Sequence, residues 1–378
     1  MKNIFWIGII GLILFEICNV YFIMPMPGSQ RMNSIDLAYF LYNYRWYFRI
    51  FFAGLLLLGL IKTNWKRKWT LAVPIALLGI VIYMTNFKMA ADAMFQQPKQ
   101  INFSNAVENK VDRNRLVIGV EFNGETKAYP IQYMGYHHHL QDTIGGKAIL
   151  VTYCTVCRTG RVFEPIVNGK HEQFRLVGMD HFNAMIEDRT TRSWWRQATG
   201  EAIAGKLKGN KLTELLSTQT SLGQWLQLHP QTLILQADPA FANHYDSAFK
   251  FESGISKRKL TGTDSLSWKD KSWVIGIKIA DKAKAYDWNR LKKERIMHDT
   301  FNQTPVLLLI AKDDKSFFAF ERPSAAATFV LTNDTLIMNS KHYRINGVGI
   351  DTNFQLKPIL AYQEFWHSWR TFQPHTTQ

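Results

Sequence analysis

The chain has 378 residues, a net charge of +15 and three cysteines. It is long enough for more than one domain, and so few cysteines exclude a small fold held together by disulfides. The basic residues are spread along the chain, which argues against nucleic acid as a partner and favours membrane lipid headgroups.

Three apolar segments in residues 1–89 are candidates for membrane-spanning helices. They cover residues 4–24, 46–62 and 69–86, and each approaches the length needed to cross a bilayer. Glu16 and Arg49 lie within or at the edge of these segments. We expect Glu16 to pair with a neighbouring helix and Arg49 to extend its charge towards a helix end. The alternative is that either residue is a functional charge within the membrane.

The distribution of basic residues predicts how these spans are oriented. Lys62, Lys66, Arg67 and Lys68 lie between the second and third spans, whereas fewer basic residues separate the first two. Because basic loops stay on the cytoplasmic side, the third span should exit on the outer face. The sequence therefore predicts an integral protein of the inner (cytoplasmic) membrane, with three spans and an extracytoplasmic soluble region where disulfides can form.

The rest of the chain has the pattern of an α+β, mainly β region. After a polar connector at 90–115, short runs rich in β-branched and aromatic residues are separated by Gly and Asn. The runs that predict strands are Leu116–Phe122, Ile149–Tyr153, Arg161–Phe163, Phe174–Val177 and Ala184–Glu187. Apolar residues at helical spacing in Ser221–Leu228 predict a short helix that ends before Pro230.

An internal repeat indicates that this region consists of two related halves. Residues 116–164 match residues 273–321 without a gap, so that Val117-Ile118-Gly119 recurs as Val274-Ile275-Gly276. A second block recurs in the same order, with Trp225 matching Trp369. The predicted organisation is a three-helix transmembrane region at 1–89, a connector at 90–115, a first copy at 116–240, a linker at 241–272 and a degenerate second copy at 273–378.

The differences between the copies indicate where the site lies. Cys154 and Cys157 of the first copy correspond to Ala311 and Asp314 of the second, while the apolar framework recurs. His137 and His229 are likewise replaced, by Glu294 and Gln373. We therefore expect the first copy to carry the functional site and the second to be structural.

The Cys154-x-x-Cys157 pair is compatible with three functions. The leading hypothesis is thiol redox chemistry with a protein or small-molecule partner, in which Arg158 and either His137 or His229 tune thiol ionisation. The second is a copper or zinc site with Cys154, Cys157, His137 and His229 as ligands, and His138 and His139 as further donors. The third is a non-catalytic envelope scaffold with a structural disulfide.

The residues around the pair are unlike two common settings of this motif. After Cys157 the sequence predicts a turn into another strand rather than the helix of a thioredoxin, and no histidine follows Cys157 for haem attachment. A separate segment, Asp188–Trp195, is dense in charge and aromatics. We expect a hairpin turn with its tryptophans in the core, and a cleft lining is the alternative.

Six motifs together resemble the DUF3179 family, a domain of unknown function, over roughly residues 112–235. They are Ala128–Pro130, Gln141–Gly146, Val151–Cys157, Asp188–Trp195, Gly200–Gly205 and Trp225–Pro230. Some members carry selenocysteine in the Cys-x-x-Cys region, so the resemblance implies redox chemistry at Cys154 and Cys157. This chain departs from the family with Thr155-Val156 and with His138, which affects the expected thiol pKa and any histidine–carboxylate pairing.

Overall fold

The computed structural model describes residues 1–351 and 353–378 and places the helices mainly at the N-terminus. The α-helices are α1 (Lys2–Tyr21), α2 (Ile35–Asn43), α3 (Arg45–Lys62), α4 (Ala72–Tyr83), α5 (Ala91–Met94), α6 (Ile131–His137), α7 (Leu222–Leu228), α8 (Trp288–Glu294) and α9 (Trp366–Phe372). Short 3-10 turns cover Ser29–Arg31, Lys68–Leu71 and Pro239–His244, and a π-helical turn covers Met84–Lys88.

Strands dominate the chain after residue 95. They are β1 (Phe103–Ser104), β2 (Leu116–Phe122), β3 (Glu125–Pro130), β4 (His139–Ile144), β5 (Lys147–Cys154), β6 (Thr159–Phe163), β7 (Ile166–Val167), β8 (Lys170–His171), β9 (Phe174–Asp180), β10 (Asn183–Asp188), β11 (Trp194–Arg196) and β12 (Ala202–Ala204). The later strands are β13 (Thr218–Ser221), β14 (Leu233–Leu235), β15 (Trp273–Ile279), β16 (Lys282–Asp287), β17 (Ile296–Phe301), β18 (Thr304–Ile310), β19 (Phe317–Glu321), β20 (Val330–Thr332), β21 (Thr335–Met338), β22 (Lys341–Arg344), β23 (Lys357–Pro358) and β24 (Ala361–Phe365). The predicted mixed α+β class is confirmed.

Two or three N-terminal helical segments are long and apolar enough to cross a membrane. Lys2–Tyr21 and Lys68–Lys88 qualify individually, whereas Ile35–Asn43 and Arg45–Lys62 qualify only as a pair bent by 61°. Glu16 pairs with Arg49 of the neighbouring helix at 2.6 Å, as predicted for Glu16, whereas Arg49 was expected to extend towards a helix end and binds Glu16 and Asn86 instead. This buried pair joins α1 to α3, and we interpret it as a packing contact.

The chain divides into two compact units. One comprises Met1–Gln96, Glu172–Arg196 and Glu201–Lys211, so it combines the N-terminal helices with the sheet of β9–β12. The other comprises Gln97–His171, Gln197–Gly200 and Leu212–Gln378, and it contains the remaining strands. The Cys-x-x-Cys pair belongs to this second unit.

Within the second unit, two runs of elements follow the same plan. The run β2–β3–α6–β4–β5 is repeated as β15–β16–α8–β17–β18, and both runs pair antiparallel at corresponding residues. Each short helix ends at a residue with positive φ, His138 in one run and Arg295 in the other. Each of these residues joins its helix directly to the next strand, β4 or β17, which then pairs antiparallel with β5 or β18.

A glycine–tryptophan contact holds one strand of each run against a helix. Gly119 lies against the indole of Trp225, and Gly276 lies against that of Trp369. In both places a Cβ atom would approach the ring within 2.5 Å, so the close packing requires glycine. The predicted strands and the helix ending at Leu228 are also present, with boundaries within a few residues.

Candidate functional site

The Cys-x-x-Cys pair lies in the turn between β5 and β6. Tyr153 pairs with Gly160 and Cys154 with Thr159, so the antiparallel ladder continues to the first cysteine. The absence of a helix after Cys157 agrees with the prediction that the motif is not thioredoxin-like. Both cysteine side chains are completely buried, because the turn is covered by residues near the C-terminus and from the segment before β15.

The two thiols are neighbours, and within the described part of the chain no disulfide joins them. Burial raises the pKa of the Cys157 thiol, and a hydrogen bond with Cys154 raises it further. The carboxyl of Glu364 acts in the same direction, whereas a hydrogen bond with Ser368 lowers the pKa. In this structure, the Cys157 thiol therefore favours its protonated form and lies in a site with several polar groups.

Lys271 and His367 both contact one backbone carbonyl group of the cysteine turn. The Lys271 ammonium donates to the Val156 carbonyl at 3.0 Å, and His367 Nε2 lies 3.2 Å from the same oxygen. Burial lowers the pKa of His367 to about 4, and the Lys271 charge adds to this, so the ring is neutral near pH 7. Burial also lowers the pKa of Lys271, and thiolates at Cys157 and Cys154 would oppose that shift.

Glu364 is a buried carboxyl held by two partners. Arg161 donates to it at 3.0 Å, and the Ser368 hydroxyl donates to its other oxygen. Burial raises the pKa of Glu364, and the charge of Arg161 opposes that rise. Glu364 and Ser368 therefore link the cysteine turn to β24 and α9.

Arg158 anchors the turn. Its guanidinium is fully buried, donates to Gln363 at 3.0 Å and to the carbonyl groups of Phe251 and Glu252, and stacks over Trp273 at 3.7 Å. These contacts use most of its donors on the segment before β15 and on β24. Lys271, rather than Arg158, is the cation whose pKa is coupled to the thiols.

The predicted histidines occupy separate places. His137 lies 2.8 Å from the Tyr245 hydroxyl, and His138 Nδ1 lies 2.9 Å from the Tyr153 carbonyl. His139 contacts Gln97, while His229 packs on the Trp225 indole. Burial lowers the pKa of His138 to about 4, so this ring is also neutral near pH 7.

The structure does not assemble the predicted four-ligand metal set. Among residues 1–351 and 353–378, no three His, Cys, Asp or Glu side chains are grouped so that they could hold a metal ion. Cys154 and Cys157 are brought together, but His137 and His229 do not complete a ligand cluster with them. Hydrogen-bonding groups surround the two cysteines, and among the described residues they form no three-ligand cluster with them.

The sequence did not predict four residues of this site: Lys271, Glu364, His367 and Ser368. The last three stand where the first half has Thr220, Gly223 and Gln224. The second half thus has an acid and a histidine that the first half lacks. A search for polar residues that are present in the second copy and absent from the first would have found Glu364 and His367.

The fold and site define a β-rich protein with candidate N-terminal membrane helices and a buried Cys-x-x-Cys turn. The model of the family DUF3179, described as "Protein of unknown function (DUF3179)", matches residues 95–376, and the chain belongs to this family. The match extends well beyond the resemblance at 112–235, so the second half belongs to the family domain. No curated protein and no solved structure matches the chain.

Proposed function

We propose that this chain is a membrane-anchored, extracytoplasmic protein whose Cys154–Cys157 pair carries out thiol–disulfide exchange. The observation that carries the proposal is the contact between two buried thiols beside the Lys271 ammonium. A nearby cation favours the thiolate, which is the nucleophile in exchange. Burial opposes ionisation, so we expect this pair to exchange more slowly than a highly reactive, exposed thiolate would.

The exchange would occur in two balanced steps. The Cys154 thiol loses its proton to solvent, and the thiolate attacks a disulfide of an oxidised protein or small molecule, releasing one partner thiolate. Cys157 then gives its proton to the first partner thiolate and attacks the mixed disulfide, which forms the Cys154–Cys157 disulfide and releases the second partner thiolate. We assign attack to Cys154 because burial, the hydrogen bond with Cys154 and the Glu364 carboxyl together raise the pKa of the Cys157 thiol.

We further infer that the soluble region is a duplicated unit with a divided function. Matching strand order, matching positive-φ residues and the two glycine–tryptophan contacts support this inference. Gln219 and its counterpart Gln363 contact each other at 2.9 Å, as expected near an approximate two-fold axis between the halves. The first copy supplies the thiols, and the second supplies Glu364, His367 and Ser368.

A redox titration of the full chain in detergent tests the proposed couple. Wild type and Cys18→Ser should show one two-electron couple by thiol trapping, and Cys154→Ser and Cys157→Ser should each lack it. The Cys18 variant is the matched control because it removes the third cysteine alone.

Three results would overturn thiol exchange. One is full complementation of a deletion strain by both cysteine variants. The second is a disulfide that does not exchange with small thiols and whose reduction greatly lowers the melting temperature, which would indicate a structural role. The third is near-stoichiometric copper or zinc that is lost in Cys154→Ser.

A further inference from the structure

A basic cavity lies within the unit formed by the N-terminal helices and the β9–β12 sheet. Its volume is about 620 Å³, and its lining includes Arg45, Arg175, Arg189 and Arg192 with the carboxylates of Asp92 and Glu187. Arg189 and Arg192 belong to the charged segment Asp188–Trp195. In that segment the tryptophans are buried as expected for a hairpin turn, and the arginines line the cavity.

Only one of the four arginines is neutralised by the cavity's own acids. Arg175 pairs with Glu187 at 2.7 Å and with Asp92 at 3.0 Å. Among the residues that the structure describes, no carboxylate lies within ion-pair distance of Arg45, Arg189 or Arg192. The cavity therefore presents three guanidinium groups without an acidic partner, a set that suits phosphate oxygens.

Arg45 lies at the end of α3 that would meet lipid headgroups if this helix crosses a membrane. Arg45 begins α3, and the next two residues, Trp46 and Tyr47, are largely exposed. Exposed Trp and Tyr at the end of an apolar helix are typical of the membrane–water interface. The exposed apolar side chains farther along α3 are then directed towards lipid tails.

A second cavity adjoins the basic cavity on the side of the N-terminal helices. This second cavity of about 210 Å³ shares Tyr42, Arg45, Asp92 and Arg175 with the first, and it reaches Asn19 of α1. The two spaces are therefore neighbours with a common wall. A headgroup could therefore bind at the arginines while its glycerol end extends towards the helices.

We propose that this cavity binds the phosphate-bearing headgroup of an anionic membrane lipid. The binding involves no covalent step and is independent of the cysteine site. Each basic residue near a membrane surface adds roughly fivefold to the affinity for anionic lipid. Removing Arg189 and Arg192 together should therefore weaken the preference for anionic lipid by at least about tenfold.

Lipid co-purification from nanodiscs of known composition tests this proposal. The full chain is reconstituted with equal phosphatidylglycerol and phosphatidylcholine, re-extracted in neutral detergent, and its retained lipids are quantified by mass spectrometry. Wild type should be enriched in phosphatidylglycerol, and the Arg189→Gln/Arg192→Gln variant should lose the enrichment. The matched control, Lys206→Gln/Lys211→Gln, removes equal charge from exposed positions of the same unit and should retain it.

Other outcomes contradict the proposal. Equal losses in both variants would indicate general surface charge, and no enrichment in wild type would exclude a lipid site. Binding of inorganic phosphate or glycerol phosphate by a wild-type chain that shows no phosphatidylglycerol enrichment would assign the cavity to a soluble phosphate. Melting temperatures of both variants are compared with wild type, so that a lipid loss is attributed to the cavity only in a folded protein.

Discussion

At the scale of residues, the cysteine site depends on which cation lies near the thiols. Arg158 is adjacent to Cys157 in sequence, but its guanidinium is held by Gln363, Phe251 and Glu252. Lys271 is distant in sequence and donates to the Val156 carbonyl inside the turn. A buried ammonium so close to two thiols is the group best placed to stabilise a thiolate during exchange.

The Lys271→Met variant should therefore raise the pKa of the attacking thiol. A rise of one unit lowers the thiolate fraction about tenfold at a pH below that pKa, and alkylation slows accordingly. The measurement is the alkylation rate of Cys154 against pH in the full chain, with Cys18 replaced by serine. Lys269→Met is the control, because Lys269 is exposed and nearby. An unchanged pH profile in Lys271→Met would remove Lys271 from the proposed mechanism.

Glu252 predicts a measurable pH dependence of stability. Burial raises the pKa of Glu252 from about 4.5 to about 7, although Arg115 opposes the rise. The folded state binds the Glu252 proton more tightly than the unfolded state does. The contribution of this proton to the free energy of unfolding is therefore complete below pH 4.5 and is lost as the pH rises to 7. The Glu252→Gln variant lacks this titration and keeps an oxygen that can accept the Leu116 amide hydrogen bond.

The stability of wild type relative to Glu252→Gln should therefore fall between pH 4.5 and 7. The upper limit is about 3 kcal/mol, since each pKa unit corresponds to about 1.4 kcal/mol. Denaturant unfolding at several pH values gives the difference directly, and Glu108→Gln provides an exposed control. A difference that is flat or rises with pH would contradict the raised pKa.

At the scale of elements, local patterns predicted more than long-range contacts did. The alternation and turn residues around Leu116–Phe122 and Ser221–Leu228 were sufficient to predict a strand and a helix there. The partners of the cysteines were not predictable in this way. Lys271 and His367 are remote from Cys154 in sequence and meet the turn only through folding, and nothing in local periodicity reports such contacts.

The glycine–tryptophan contacts provide a test of the duplicated packing. Gly119→Ala places a methyl group about 2.3 Å from the Trp225 ring, and Gly276→Ala places one about 2.1 Å from the Trp369 ring. Each variant should lose about 2 kcal/mol of stability, because neither the strand nor the indole can yield without disturbing the core. Denaturant unfolding of the full chain measures both losses.

A double-mutant cycle separates this clash from a general intolerance of the strand. Trp225→Leu removes the ring atoms that the new methyl group would meet, so Gly119→Ala should cost less in its presence. Strict additivity of the two losses would show that the contact does not explain the glycine. A similar cycle at Gly276 and Trp369 is expected to give the same sign.

At the scale of the whole molecule, the N-terminal helices connect the redox proposal to a compartment. The buried Glu16–Arg49 pair and the exposed apolar side chains of α3 and α4 are consistent with helices that pack together and face lipid. The bend between α2 and α3 is the feature that the sequence did not predict. Since both ends of α3 carry basic residues, the direction of crossing depends on the loop that follows it.

The loop at residues 62–68 predicts that the soluble region is extracytoplasmic. Four basic residues there should keep this loop in the cytoplasm, so a chain with three spans exports everything after the last one. An alkaline phosphatase fused after Gln378 should be active, and a green fluorescent protein fused at the same place should be dark. Replacing Lys66, Arg67 and Lys68 with glutamine should weaken this asymmetry, whereas the same change at Lys206, Lys208 and Lys211 should not. An inactive phosphatase with a bright fluorescent fusion would place Cys154 and Cys157 in the reducing cytoplasm, where a resting dithiol is expected and an extracytoplasmic exchange partner is ruled out.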